Sequence, residues 1–559
     1  MFSRVFAPFT PAQCGGPVWL GWAALGSQQC LNRLVYEFWG AALLIRLGVF
    51  LAGLLLVGTL AAQPLDPQAA SLKLAVRELT LVGLDHPDRG LSLGGLNQRA
   101  QQERARFGAE LSVEELNQLA DALTLYVRSF GFPFHTVYLP PQKVEAGRVE
   151  LRLQEGVLGA VHVINKTRLQ DKRFERPFAA HLGQVLVGPS IEERVQALKN
   201  QAGFSLFAFY SRGVKPGEAV LNLRVDPSDQ QVYGLRVDNY GSAASGKQRA
   251  IAQYSRFELT GHHDRLDLGL LQTLGSVSNR YGSLAYQLPS PVLDYLWDIS
   301  ATNNQFELGD RYAALGLEGD VTTLGSGISW IQRQQPAART SWRAGLYDKR
   351  NRLDAGLTSV AREVSQALTL EWSRTWALDK GAVSNLQVEY SYGQGQVERL
   401  PDAAFNKLDV NGLFSQGFGS GRWRNLLQLT GRAQASDVAL PSIEAMALSG
   451  AYGVRGFEAG LFNAEQAALM SAEWRWPSLF SGENWRLEPY LLAEAGLGRD
   501  LTYKGRSRSA RLTDMGLGLG ASWGRHLRLN LLAVAGLTGS VDGVSLEHDQ
   551  QVLCEVRWQ

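Results

Sequence analysis

The chain has little cysteine, almost no net charge and, beyond its first 62 residues, no long apolar run. Of three cysteines among 559 residues, Cys14 and Cys30 fall in a segment expected to be removed, which leaves Cys554 alone. A disulfide within the mature chain is therefore not expected. A formal charge of +2, with no basic stretch interleaved with aromatics, sets aside nucleic acid as a partner. A helical membrane protein needs about 20 apolar residues per span, and none follows Ala62. Barrels escape that test: their strands alternate lipid-facing with lumen-facing residues, so mean hydropathy stays near neutral, here −0.12.

Enzyme and metal motifs are also scarce. Neither HExxH nor paired CxxC occurs, and the adjacent His262 and His263 would point to opposite faces of a strand rather than at one metal. Gly90, Ser92 and Gly94 in GLSLG have nucleophile-elbow spacing, but the preceding DHPDR is no strand. GLGLGA, Gly516 to Ala521, sits in an alternating stretch without a βαβ unit, so strand glycines are expected rather than a dinucleotide loop. No catalytic residue, metal ligand or cofactor is expected.

What is present is an ordinary globular balance of 45% hydrophobic and 19% charged residues, with 59 glycines, 14 tryptophans and 17 tyrosines. That abundance suits a barrel with many turns and two interfaces, and soluble β proteins as well. Arg46 followed by LGVFLAGLLLVGTLAA has the layout of a secretory signal, with Thr59 and Ala61 at the −3 and −1 positions of a cleavage site. Residues 1–62 are read as this segment, either extended or mis-started, and export to the periplasm follows. Residues 63–73 form a short linker containing Pro64 and Pro67.

From Leu74 the pattern reads strand, polar stretch, helix, strand, turn, strand. Ser112 and Glu115 have capping-box spacing, Val113, Leu116, Ala120, Leu123 and Val127 recur at helical intervals, and Gly131 ends the helix. The scheme repeats, with Ser190 and Glu193 as a second capping box before IEERVQALKN. Two small α+β modules are expected, at 74–156 and 157–227. Beyond Pro227 the text changes to alternating strands: Leu368, Leu370 and Trp372 share a face, as do Met470, Ala472, Trp474 and Trp476, Leu527, Leu529 and Leu531, and Val552, Cys554, Val556 and Trp558. At about 20 residues per strand and connection, 228–559 accommodates roughly 16 antiparallel strands of an all-β transmembrane barrel. No fixed period supports a solenoid.

Two stretches carry a family resemblance. VYLPPQKVEAGRVELRLQEG, Val137 to Gly156, resembles the signature of POTRA modules in the outer-membrane transporters of two-partner secretion, of the hemolysin-activator type. GAYGVRGFEAG, Gly450 to Gly460, resembles the loop motif of the same transporters, and LRVDNYGSAASGKQR, Leu235 to Arg249, their first barrel hairpin. The resemblance implies two periplasmic POTRA domains, with Tyr138, Leu139, Pro140, Gln142, Gly147, Glu155 and Gly156 as signature positions. It also implies an outer-membrane barrel inserted by the barrel assembly machinery among lipids, and a loop near 449–466 folded into the lumen. In that loop Gly453, Val454, Arg455, Gly456 and Phe457 match the motif. Its arginine is expected to pair with the barrel wall, where LAEAG, Leu492 to Gly496, aligns with the family's aromatic-x-Asp-x-Gly. Glu494 replaces the aspartate and Leu492 the aromatic, so the pair is expected with shifted geometry.

The implied function is secretion of an unfolded exoprotein through the pore. The competing class is a factor that assembles outer-membrane proteins, and a passive pore or adhesin is the third. With no room for a plug helix in the linker, the loop around Arg455 is expected to close the resting pore unaided. Trp558 followed by Gln559 departs from the terminal aromatic usual in such barrels.

Overall fold

A computed structural model describes residues 73–559 except 202, 291–293, 336, 379–380, 399–401, 478, 502–506 and 548. The signal segment and most of the linker lie outside the described residues. The chain divides into two compact units, one mainly residues 226–559 and the other mainly the modules before them.

In the first module, β1 (Glu78–Val82), β2 (Thr136–Tyr138) and β3 (Arg148–Gln154) form a sheet in the order β1-β3-β2, with β1 parallel and β2 antiparallel to β3. Helices α1 (Leu93–Arg104) and α2 (Val113–Arg128) bury Leu96, Leu116, Leu119 and Leu123 in a core that also holds Val149 and Leu151 of β3. Reciprocal bonds between Ser112 and Glu115 make the capping box that opens α2. Val113, expected on the buried face, is exposed at N1 instead.

α1 stands where the sequence reads as a polar stretch. Leu96 and Ala100 are its buried apolar positions, and beside them Asn97 Oδ1 accepts from Leu81 N–H at 2.9 Å and Gln101 Nε2 donates to the Leu79 carbonyl at 3.2 Å. Few apolar positions, helped by amides on the β1 edge, dock this helix, so apolar periodicity does not reveal it. Ser92 is its N-cap, accepting from Gly95 N–H at 3.1 Å.

The second module contains β4 (Val157–Asn165), α3 (Asp171–Glu175), α4 (Gly188–Lys199), β5 (Phe204–Arg212) and β6 (Glu218–Pro227), with sheet order β4-β6-β5. β5 is therefore an edge strand. α4 opens at Gly188, which places Ser190 and Glu193 inside its first turns and not in a capping box. Pro189 takes the start instead, where its missing N–H costs nothing.

The second unit is a closed antiparallel barrel of 16 staves. They are β7 (Gln231–Asp238), β8 (Gln248–Phe257), β9 (Arg265–Leu274), β10 (Asn279–Pro289), β11 (Tyr295–Glu307), β12 (Leu317–Gln335), β13 (Ala338–Ala355) and β14 (Thr358–Ala377). The circuit continues with β15 (Val383–Val397), β16 (Ala403–Phe418), β17 (Asn425–Ser436), β18 (Gln466–Arg475), β19 (Trp485–Asp500), β20 (Arg508–Trp523), β21 (Leu527–Val541) and β22 (Gln550–Trp558). Leu368, Leu370, Met470, Trp474, Leu527, Val552 and Trp558 all face outward, as alternation requires.

On β19 the outward residues run Trp485, Leu487, Pro489, Leu491, Ala493, Ala495, Leu497 before Arg499. At ~3.3 Å per residue and a tilt of ~35–45°, that apolar series spans roughly 28–32 Å, the thickness of a hydrocarbon core. Tyr295, Trp330, Trp342 and Trp372 lie in register across four staves and form a belt at one rim. Gly516, Gly518 and Gly520 are strand residues of β20. His262 and His263 lie in the turn after β8, not on a strand.

The junction closing the circuit is the shortest. β22 and β7 share four residue pairs, Glu555–Asp238 to Trp558–Leu235, against eight at the β7–β8 and β9–β10 junctions. Above them a side chain continues the ladder: Asn239 Nδ2 donates to the Val552 carbonyl at 2.7 Å and its Oδ1 accepts from Cys554 N–H at 2.8 Å.

Candidate functional site: a loop seated in the barrel lumen

The segment between β17 and β18 turns inward. A short ladder, Met446–Ala447 with Asn463–Ala464, closes its neck. Beyond the neck Val454 and Phe457 are buried, in one cluster with Leu448, Phe462 and Leu512. Apolar side chains on a loop of this length stay buried only if the loop lies against a wall, and this one does.

Arg455 meets two carboxylates. Its Nε stands 3.3 Å from Glu494 Oε1 on β19, and both terminal nitrogens donate to Glu473 Oε1 on β18 at 3.3 Å. The Arg455 backbone N–H donates to Glu494 Oε2 at 2.9 Å, and the next N–H, of Gly456, donates to Asp514 Oδ2 on β20 at 2.6 Å. Arg475 binds the other oxygen of Glu473. Three neighbouring staves thus present three carboxylates to one guanidinium and two successive amides. A planar fork serves such a wall as a lysine point charge would not.

The aspartate-to-glutamate change at Glu494 leaves the pair in place. Leu492, at the aromatic position of the wall motif, is buried with Tyr490, Leu532 and Val534, and Tyr490 two residues earlier supplies an aromatic ring to the same face. Arg475 lies over that ring, 4.1 Å from its centroid.

The motif glycines serve close approach rather than a tight reversal, since neither Gly453 nor Gly456 has a positive φ. A Cβ on Gly456 would fall 2.7 Å from the Gly536 nitrogen on β21, and one on wall residue Gly496 would fall 2.8 Å from Val454 Cγ2. Gly453 likewise lies too close to the Leu448 backbone for a side chain.

The loop touches much of the circuit. Tyr452 Oη accepts from Arg236 on β7 and Arg249 on β8, each at 3.2 Å, and its carbonyl accepts from Arg432 on β17 at 3.1 Å. Glu458 pairs at 3.0 Å with Arg311, in the connection between β11 and β12. The sequence reading found the arginine and one wall residue but missed Glu473, Asp514 and Tyr452. The available signal was a run of ionisable residues, Glu473, Arg475 and Asp514, on the inward faces of membrane strands, where charge is costly unless it serves a lumen.

The module signature has a different character. The amide of Gln142 bonds both ways to the Glu150 backbone, accepting from its N–H at 2.9 Å and donating to its carbonyl at 2.7 Å, as a neighbouring strand would. Leu139 packs on the module core and Tyr138 is exposed. Gly147 has φ +77°, and Gly156 leaves no room for a side chain against Phe134. Glu155 pairs at 2.8 Å with His86, and Gly156 N–H donates to His135 Nδ1 at 3.1 Å. His86, His135 and Glu155 gather close enough to suggest a cation site. The bond from Gly156, however, occupies the lone pair on Nδ1 and so puts the proton of neutral His135 on Nε2, which leaves that ring nothing to offer a metal. The signature builds the module and its junction with the next.

Comparison with known proteins agrees with this architecture. The model of the ShlB-type POTRA domain matches residues 89–156, and that of the haemolysin secretion/activation protein ShlB/FhaC/HecB matches 217–523. The heme/hemopexin transporter protein HuxB of Haemophilus influenzae is 22% identical over 473 residues, covering 78% of this chain and 80% of that protein. The outer membrane transporter CdiB of Dickeya dadantii is 23% identical over 154 residues, 28% of this chain and 27% of that protein. Among solved structures, CdiB from Escherichia coli superposes with a TM-score of 0.68 at 17% identity, over 90% of this chain and 93% of that one. CdiB from Acinetobacter baumannii gives 0.64, also at 17%, over 93% and 98%. With its POTRA region, its closed outer-membrane barrel and a match over more than half its length, the chain belongs to the ShlB/FhaC/HecB haemolysin secretion/activation family, the outer-membrane transporters of two-partner secretion.

Proposed function

We propose that the loop around Arg455 is the element that closes the resting pore, and that an unfolded exoprotein held by the periplasmic modules passes once it moves. The observation that carries this reading is the seat itself: a guanidinium and two amides facing Glu473, Glu494 and Asp514 across three staves. Such a seat is strong enough to persist and polar enough to re-form in water, as a reversible closure requires. The role is positional, and the protein performs no covalent chemistry.

Capture falls to the modules. The edge strand β5 carries Phe207 and Phe209, both exposed, on one face. An extended client adds to such an edge through backbone hydrogen bonds, while the rings hold alternate side chains. This recognition tolerates varied sequence and suits a client that arrives unfolded. Lipids cover the apolar band, and insertion relies on the barrel assembly machinery.

The test is surface appearance of the exoprotein encoded beside this protein, in cells carrying wild type or Arg455→Ala at matched outer-membrane levels. Export with wild type and its loss in the variant is expected, because the Arg455 seat also holds the loop in the state from which transport proceeds. Equal surface appearance in cells lacking the protein altogether would overturn the reading.

A further inference from the structure

The loop has a second anchor, far from the motif. After β17 the chain reaches a short 3-10 turn, Ser442–Glu444, whose Ile443 is buried among Phe306, Leu317, Val321 and Leu353 of β11, β12 and β13. Glu444 beside it is completely withdrawn from solvent. Its Oε1 lies 2.9 Å from Lys349 Nζ on β13 and its Oε2 2.7 Å from Lys407 Nζ on β16. Lys407 also pairs with Asp409 at 3.3 Å. Ser442 Oγ donates at 2.6 Å to Glu363 on β14, which accepts from Asn351 on β13 at 3.2 Å. From Asn351 and Lys349 to Lys407, these partners sit on β13, β14 and β16, whereas Arg455 is held by β18 and β19. The two anchors share no residue.

We propose that Glu444 is a positioning residue of the closed state: a charged clasp fixing the near limb of the loop, independent of the Arg455 seat. The inference rests on reading the loop as the closing element. One loop limb bearing one buried carboxylate between two lysines is more than local folding demands, since an apolar side chain beside Ile443 would complete the same packing. Buried pairs are often no more stabilising than apolar replacements, yet breaking one by removing a single partner is severe, because the remaining charges stay buried and uncompensated. Such a clasp is rigid while whole and fails all at once when a limb is pulled away into water. The wall is left with Lys349, Lys407 and Asp409, charges that a hydrated lumen accommodates. The loop would therefore leave in two separable steps, with the tip and the limb each contributing its own share of the hold.

The experiment is conductance of the purified full-length protein in planar bilayers, with folding checked by heat-modifiable migration. The variants are Glu444→Gln, Glu444→Lys, the swap Glu444→Lys with Lys407→Glu, Arg455→Ala, Glu444→Gln with Arg455→Ala, and a chain lacking residues 440–462. The expected result is a rise in open fraction of about tenfold or more for Glu444→Gln. Glu444→Lys alone should match or exceed it, and the swap, which keeps the cluster neutral, should return toward wild type. Because the anchors are separate, the effects of Glu444→Gln and Arg455→Ala should multiply. If the loop deletion opens the pore while Glu444→Gln and Glu444→Lys behave as wild type, the clasp is wrong and the closure reading stands. If the deletion itself leaves conductance unchanged, the closure reading falls, and the clasp with it.

Discussion

Replacing Gly456 with alanine separates the seat of the loop from the charge that it carries. The added Cβ would stand 2.7 Å from the Gly536 nitrogen, 2.8 Å from Asp514 Cβ and 3.1 Å from the Ala535 carbonyl carbon. Two of those atoms are backbone of β21, a stave paired on both sides, so the wall does not yield. The tip must retreat by about 0.7 Å to reach ordinary contact, which lengthens the Gly456 N–H bond to Asp514 from 2.6 Å to roughly 3.3 Å and weakens it sharply. A buried donor left poorly satisfied costs about 1–3 kcal/mol, and strain on the neighbouring Arg455 bonds brings the loss for the closed state to roughly 2–3 kcal/mol. At about 1.4 kcal/mol per factor of ten, the ratio of open to closed rises some 30- to 150-fold. Single-channel recording of the purified protein reads that ratio directly, and sensitivity of cells to a large antibiotic reads it in the outer membrane. Combined with Arg455→Ala, the effect should fall short of the product, because both changes empty one seat. A Gly456→Ala protein that folds normally and keeps wild-type closed times would refute the close-approach reasoning.

Arg455→Lys should be intermediate between wild type and Arg455→Ala in conductance and export, since one ammonium cannot serve Glu473 and Glu494 with the geometry of a fork. In the first module, burial and the adjacent His86 push His135 down to about 4, whereas an unfolded imidazole titrates near 6.5. The folded module binds fewer protons between those values, so its stability is full above ~6.5 and falls by up to about 3 kcal/mol as pH drops toward 4. Hydrogen exchange of β3 in the intact protein at pH 7 and pH 5 should show that loss, and His135→Gln should flatten it. Gln142→Ala removes both bonds to the Glu150 backbone and should cost the first module about 1–2 kcal/mol, measured by the same exchange, while leaving conductance unchanged. Phe207→Ser with Phe209→Ser should weaken pull-down of the unfolded exoprotein several-fold without altering channel behaviour, and unchanged capture would remove β5 as the docking edge.

Much of this was legible from residue patterns because the physics involved is periodic. Alternation at Leu368, Leu370 and Trp372 reports a membrane face directly, and the capping box at Ser112 and Glu115 marks a helix start. What escaped is where polar atoms do the work that apolar ones usually do. α1 buries only Leu96 and Ala100 fully and meets the β1 edge through Asn97 and Gln101, so its face reads as solvent. Glu473, Asp514 and Glu444 are distant in sequence from the loop or from their partners, and only closure of the barrel brings Lys349 and Lys407 to one carboxylate. The motif pointed to Arg455, but the reason for its glycines required knowing how near β21 runs to the loop.

The four-rung join between β22 and β7 makes the barrel a split ring. A hoop of equally strong links resists any change in girth until a link breaks, whereas a hoop with one short link concentrates strain there. Asn239, gripping β22 by a side chain above those rungs, works as a latch at the gap. Tyr452 reaches the same place through Arg236 on β7, so the calibre of the ring and the seating of the lumen loop meet at one spot on the circumference.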